Sequence, residues 1–277
     1  MAIATAVQNG WPLFHFDVEQ AFVRAPLDFD VGMKLPSGCG SKTGQVVRLD
    51  RALYGVKQTG RQWAAHLCKT MVDEHDMEQC KSDPCVFRKV VDGVVKLIVV
   101  VHVDDILVGG EKEACDELHL LLNKKFPTNN LGEVRWYMGC AVERDWAKET
   151  IKITQSAFAD TLLKRFNITA RANTSTSPTA DVGQTTADDE VIDRPFRQAV
   201  GGVMWLAGMT RPDVANAVRA VACHAHDPWE RHWKALLQIL AHLNATRDLG
   251  ITFRKEEKVS LSVYADADYA RKEADRR

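Results

Sequence analysis

Leu13 and His15 alternate with Phe14 and Phe16 before an acid, Asp17, appears, and this period of two predicts a strand over residues 13–18. Residues 45–49 read as another short strand. Over 51–74 the pattern is helical with breaks at Gly55 and Gly60, each costing about 1 kcal/mol relative to alanine, so a helix preceded by a turn is expected. The clearest pattern follows. Two runs rich in β-branched residues, 86–91 and 94–103, flank Asp92-Gly93 and predict a hairpin closed by a type I′ turn. From Leu97 the second run is apolar at nearly every position, as a central strand covered on both faces requires. It runs into Asp104 and Asp105, and the apolar return at 106–108 puts those acids at the tip of a second, tight hairpin.

Residues 111–126 carry Ala114, Leu118, Leu121, Leu122 and Phe126 at helical spacing, with acids in the first turn and Lys124-Lys125 in the last, as the helix dipole favours. Short strands are expected over 136–142 and 151–154. A helix over 155–166 gathers Phe158, Leu162 and Phe166 on one core-forming stripe. Residues 171–193 hold five acids (Asp181, Asp188, Asp189, Glu190, Asp193) and almost no large apolar side chain, which predicts an acidic flexible linker. Three helices follow over about 195–209, 213–226 and 229–245, separated by Arg211-Pro212 and Asp227-Pro228, where proline disfavours helical geometry at the preceding residue. A last alternating run, 259–264, meets Asp266 and Asp268. This order of elements is that of an α+β protein.

With 45% apolar and 26% charged residues in 277, the composition is that of a soluble globular chain. No stretch approaches the roughly 20 uncharged apolar residues of a spanning helix, and no basic region followed by an apolar one opens the chain, so no membrane partner is expected. Seven cysteines, odd in number and without a C-x-x-C pair, argue against a disulfide framework and for a reducing, intracellular compartment. Lys plus Arg (36) nearly cancel Asp plus Glu (37), so nucleic-acid binding must use local patches. One lies between Arg48 and Lys69, where Arg48, Arg51, Lys57, Arg61 and Lys69 stand against Asp50 alone, with Tyr54 and Trp63 interleaved. That mixture suits phosphate contacts plus stacking, although a solvated helix face has the same charge pattern. Cys223, His224, His226 and His232 make a poor zinc set, because residues 224 and 226 face different sides of a helix.

Asp17 at a strand end and Asp104-Asp105 at a hairpin tip meet if their strands are antiparallel neighbours in one sheet. Their oxygens suit a hard divalent ion, magnesium with manganese as a substitute, which keeps waters and takes substrate phosphates as its remaining ligands. Two such ions about 4 Å apart activate a 3′-hydroxyl and neutralise a leaving pyrophosphate.

Six motifs in order carry a resemblance: F-H-F-D-V-E-Q-A-F at 14–22, L-Y-G-V-K-Q-T-G-R-Q-W at 53–63, H-V-D-D at 102–105, L-G-E-V-R-W-Y-M-G at 131–139, T-R-P-D-V-A at 210–215 and Y-A-D-A-D-Y-A at 264–270. The chain resembles, over nearly its whole length, the reverse transcriptase of copia-type long-terminal-repeat retrotransposons. The resemblance implies a right-hand polymerase that adds deoxynucleoside triphosphates to a primer strand on an RNA or DNA template, with Asp17, Asp104 and Asp105 binding two Mg2+ ions. It implies that Phe22 abuts the sugar 2′ position and that Lys57, Gln58 and Arg61 approach the incoming nucleotide and template. It further implies a palm with truncated fingers at 1–127, a thumb-like segment at 128–170, the linker at 171–193, a helical connection-like segment at 194–258 and the start of a ribonuclease H domain at 259–277. A cytoplasmic virus-like particle or the nucleus is the implied location.

The chain departs from the family pattern at His102, where tyrosine is usual, and at Thr59-Gly60, where Ala-Pro is usual. Only 16 residues precede Asp17, fewer than the fingers strands need, and 11 follow Asp266, fewer than a ribonuclease H domain needs. Residues 1–277 alone are therefore expected to extend a primer weakly or not at all and to lack ribonuclease H activity. The alternative is a catalytically silent or co-opted copy that folds and binds nucleic acid.

Overall fold

The computed structural model describes residues 1–176, 192–257 and 262–265. The chain opens with helix α1 (Ala2–Asn9), strand β1 (Leu13–Val18) and a one-turn helix α2 (Ala21–Arg24). Strands β2 (Gly32–Lys34) and β3 (Val46–Arg48) form a small two-stranded sheet, and helix α3 (Thr59–Lys69) follows. Then come β4 (Glu78–Gln79), β5 (Val86–Val91), β6 (Val94–His102), β7 (Asp105–Gly110), helix α4 (Lys112–Lys125) and β8 (Thr128–Glu133). Strands β9 (Trp136–Tyr137), β10 (Cys140–Asp145) and β11 (Thr150–Thr154) precede helices α5 (Ser156–Arg165), α6 (Phe196–Met209), α7 (Ala215–Ala222) and α8 (Glu230–Ala245), and β12 (Ile251–Arg254) ends the regular elements among the described residues. The architecture is α+β with antiparallel sheets.

A six-stranded sheet in the order β4-β5-β6-β7-β1-β8 is the centre of the fold. The β5–β6 hairpin forms as its sequence demands: Asp92 and Gly93 both take positive φ (52° and 76°), the signature of a type I′ turn. β6 lies inside the sheet and is apolar on both sides because both faces are covered. Leu97 and Val99 join Phe16, Val18, Ile106 and Val108 in a core closed by Trp63 and Leu67 of α3 and by Cys115, Leu118 and Leu122 of α4. On the opposite face Leu13 and Leu107 pack with Ala6 and Val7 of α1 and with Val142 and Ile151 of the second sheet, ordered β12-β11-β10-β9.

Several elements differ from the sequence pattern. Residues 51–58 are not helical; α3 starts at Thr59, and Gly60 sits in its first turn rather than breaking it, while residues 70–74 widen into a π-turn. The run 136–142 is split into β9 and β10 because Met138 and Gly139 take positive φ (50° and 77°) and reverse the chain. The stretch 213–226 is helical only from a short 3-10 turn at Pro212–Val214 to Ala222. Of the run 259–264, residues 262–264 belong to no regular element, and the remainder, with Asp266 and Asp268, lies outside the described residues. The same holds for Asp181, Asp188, Asp189 and Glu190 of the acidic stretch; residues 171–176 and Asp193 are described and belong to no helix or strand.

A second core joins α5, α6, α7 and α8 through Leu162, Phe196, Val203, Val218, Leu236 and Leu240. The T-R-P-D motif ties it to the end of α8. Arg211, 2% exposed, donates Nε to Asp213 Oδ1 (2.8 Å) and Nη2 to Oδ2 (2.7 Å), and its Nη1 reaches the Thr246 carbonyl at 2.9 Å. Arg211 beside it holds the Asp213 carboxyl below the usual carboxylate range against the opposing effect of burial, with His242 adding in the same direction. A depressed folded-state pKa stabilises above the unfolded value of about 3.9 and is lost as pH falls through the folded value. Asp213→Asn should therefore lower the urea midpoint at pH 7 and narrow its difference from wild type near pH 3; an unchanged midpoint at pH 7 would show that the pair contributes nothing.

Candidate active site

The register of β1 against β7 decides where the acids meet. Asp17 and Asp105 are direct partners across the antiparallel pair, which puts their Cβ atoms about 5 Å apart on one face. That face is the one away from α3 and α4, because Phe16 and Ile106, next along each strand, point into the helix-covered core. Asp104 lies in the two-residue turn between His102 and Asp105, and its carbonyl accepts the Val18 amide at 2.9 Å, which binds the turn to the end of β1.

The turn is held in an unfavourable conformation. Val103 has φ 58°, a region that a β-branched residue enters at a cost of about 1–3 kcal/mol. Trp63 fixes it there, donating its indole N–H to the Val103 carbonyl at 2.7 Å from a ring that is itself buried against Phe126. His15 shares the acid face with Asp17, and its Nε2 donates to Asp105 Oδ1 at 2.7 Å in the tautomer that carries the proton there. Tyr137 packs edge-on against His15 with ring centroids 5.4 Å apart. Burial, with the Asp105 charge adding to it, pushes the Tyr137 hydroxyl up to about 12, and its oxygen has no hydrogen-bond partner among the described residues.

Asp17 and Asp104 are half-buried, and their carboxylates take no hydrogen bond or ion pair among the described residues. A carboxylate without a cationic partner can take a hard divalent ion as its counter-charge, and an all-oxygen donor set suits magnesium or manganese rather than zinc. Among the described residues no three His, Cys, Asp or Glu side chains are gathered as a ready metal cage, and one Asp105 oxygen is engaged by His15. Asp17 thus faces an Asp105 with one oxygen tethered, and Asp104 follows in the turn; an ion held there would take its remaining coordination from waters and substrate oxygens.

Phe22 sits in α2, just beyond β1, half-buried against the helix-covered core with its ring 4.7 Å from that of Tyr54. Lys57, Gln58 and Arg61 are exposed where the loop from Tyr54 enters α3. No contact joins them to the acids among the described residues; the connection runs through Trp63, one turn further along. The Thr59 hydroxyl donates to the Leu53 carbonyl at 2.8 Å and ties this loop to the start of α3. His102 is exposed and opposes Asp105 in the β6–β7 ladder. The sequence pattern did not single out His15 or Tyr137 as site residues, and it offered Trp63 as a stacking ring of the basic patch, whereas that ring is 2% exposed and serves the turn instead. Only His15 carried a signal, two residues before Asp17 and hence on its face.

A family model described as "Reverse transcriptase (RNA-dependent DNA polymerase)" matches residues 1–181. The chain is 30% identical over 266 residues to the retrovirus-related Pol polyprotein from transposon TNT 1-94 of Nicotiana tabacum, covering 92% of the chain and 20% of that relative. It is 31% identical over 277 residues to the corresponding polyprotein from transposon RE1 of Arabidopsis thaliana, covering 98% of the chain and 18% of the relative. A putative transposon Ty5-1 protein of Saccharomyces cerevisiae is 24% identical, over 91% of the chain and 83% of the relative. The chain thus spans about a fifth of the length of the plant polyproteins it matches. Among the described residues no helix is long and apolar enough to cross a membrane.

Proposed function

The chain belongs to the reverse transcriptase (RNA-dependent DNA polymerase) family, in its copia-type Pol branch, and from that premise we propose that the six-stranded sheet is a polymerase palm. One observation carries the reading: Asp17 stands opposite Asp105 in the β1–β7 register with Asp104 in the adjoining turn, and the Asp17 and Asp104 carboxylates are half-buried and make no hydrogen bond or ion pair among the described residues. Asp17 and Asp104 would hold magnesium, with the free oxygen of Asp105 beside them and nucleotide phosphates completing the shell. Magnesium held by these residues would supply activation of the primer 3′-hydroxyl and neutralisation of the departing pyrophosphate. His15 orients Asp105, Trp63 fixes the turn, and Lys57 and Arg61 meet phosphates or template, arginine through a forked contact and lysine as a point charge.

The test is magnesium-dependent extension of an oligo(dT) primer on poly(rA), by the chain and by a form extended upstream. Extension that Asp104→Asn abolishes supports the proposal; extension that survives Asp104→Asn overturns it. The alternative, a silent copy that folds and binds nucleic acid, is favoured by the tethering of Asp105 to His15, and loss of extension from both forms with strand binding intact would select it.

His15 is testable without turnover. Removing an outer partner of a metal ligand typically weakens metal binding about 10- to 100-fold, so His15→Leu should do so in a manganese titration, and His15→Gln, which keeps a donor, should restore most of it. Equal affinity in all three chains would make His15 a packing residue. If Phe22 abuts the sugar 2′ position, Phe22→Ala should admit ribonucleotides while deoxynucleotide incorporation falls less; equal loss of both would make it a core residue alone.

A further inference from the structure

The two faces of the four-stranded sheet are unlike. Val142, Ile151, Ile153 and Phe253 point to the core shared with the six-stranded sheet. The opposite face is polar and open, and with the β10–β11 turn it forms a cavity of about 690 Å³ lined among others by Trp146, Lys152 and Arg254. Trp146 is 49% exposed, and the Arg144 guanidinium lies 3.9 Å from its ring centroid. The indole is thus backed by a cation, and Trp146 is among the residues that line the cavity. Arg144 is only a backing, since its Nε and Nη1 are buried and make no hydrogen bond among the described residues.

Charge on this face is uneven. Lys148 is spent on Asp145, 3.0 Å away. Lys152 and Arg254 form no ion pair among the described residues, although Glu143 is the direct cross-strand neighbour of Lys152. Four cations, Arg144, Lys148, Lys152 and Arg254, line the cavity against two acids, Glu143 and Asp145. An exposed aromatic ring backed by a guanidinium, with unpaired cations across a polar floor, meets the needs of base stacking and phosphate contact. A protein partner would call for an apolar centre with a polar rim, and here Trp146 is the single large apolar side chain on the cavity wall among the described residues.

We propose that this face binds an unpaired nucleic-acid strand, one base stacking on Trp146 and backbone phosphates meeting Lys152 and Arg254. The site is separate from the acids. Tyr137 of β9 touches His15, and β10 leads away from that end for six residues, about 20 Å at roughly 3.3 Å per residue. The proposal rests on the polymerase reading only for the origin of the strand; the contacts themselves need no metal.

The experiment is fluorescence anisotropy of a labelled single-stranded oligo(dT) titrated with the whole chain in EDTA, across a range of salt. Because EDTA removes the metal, this result does not depend on the acids, whose own test is primer extension. Trp146→Ala should weaken binding about 5- to 100-fold, and Trp146→Phe, which keeps a ring, should recover most of the loss. Replacing Lys152 and Arg254 together with alanine should flatten the slope of log affinity against log salt by about 1.4, twice the single-strand value of about 0.7 per phosphate. Wild-type affinity in Trp146→Ala with an unchanged circular dichroism spectrum, tighter binding of duplex than of single strand, or no binding by the wild-type chain would each overturn it.

Discussion

In a form extended upstream that extends a primer, Asp104→Asn is expected to lower magnesium-dependent extension about a thousandfold while leaving the melting temperature at or above that of the parent. The substitution keeps the size of the side chain and removes its charge, so a loss of metal stabilisation worth about 4 kcal/mol at the transition state would appear in rate. Stability should not fall with it. The Asp104 carboxylate makes no hydrogen bond or ion pair among the described residues, so the fold loses no side-chain contact when its charge is removed. Extension and thermal unfolding measured on the same preparation check both halves. A parallel fall in activity and melting temperature would mean that Asp104 supports the fold instead of the chemistry.

Trp63 is expected to separate two roles of one side chain. Its ring is 2% exposed and fills the core against Phe126, so Trp63→Ala should cost about 3–5 kcal/mol, a large part of the 5–15 kcal/mol typical of a domain. Trp63→Phe keeps most of the apolar volume but leaves the Val103 carbonyl without its indole donor, at about 1–3 kcal/mol. The Phe variant should therefore stay folded in denaturant titrations and yet bind manganese more weakly than its modest destabilisation explains, because Val103 is free to leave φ 58° and carry Asp104 with it. Wild-type manganese affinity in Trp63→Phe would show that the turn holds its shape without the indole.

The parts of this site that the sequence discloses are those made by near neighbours. Asp92-Gly93 can hardly be anything but a turn, and an apolar run ending in two acids and resuming at Ile106 has few shapes besides a tight hairpin. What stays hidden depends on register between distant strands. Nothing local says that His15 meets Asp105 or that the Trp63 indole meets the Val103 carbonyl, because each pairing is set only once β1, β7 and α3 are in place. β8 is hidden for another reason: Thr-Asn-Asn-Leu-Gly-Glu has little strand propensity and tolerates its place as a solvated edge beside β1. β12 is four residues long and becomes a strand by pairing with β11, far earlier in the chain. A Cβ on Gly250 would come within 2.1 Å of the Ile153 carbonyl, so this pairing also depends on a glycine that no local pattern explains. α1 was legible in principle, since Gly10 closes it in the left-handed conformation after an alanine-rich turn, but at eight residues its period is too short to separate from the strand that follows.

Whether Asp17 and Asp104 are oxygen ligands of a divalent ion is read most directly by electron paramagnetic resonance of Mn2+ titrated into the chain with primer-template and the complementary deoxynucleoside triphosphate. Free manganese gives a strong six-line signal that bound manganese loses, so the signal counts bound ions without requiring turnover. Depletion of that signal by the wild-type chain, and its return to the level of nucleotide and primer-template alone with the Asp17→Asn/Asp104→Asn double variant, is the predicted result. Equal depletion by the wild-type and doubly substituted chains would contradict it.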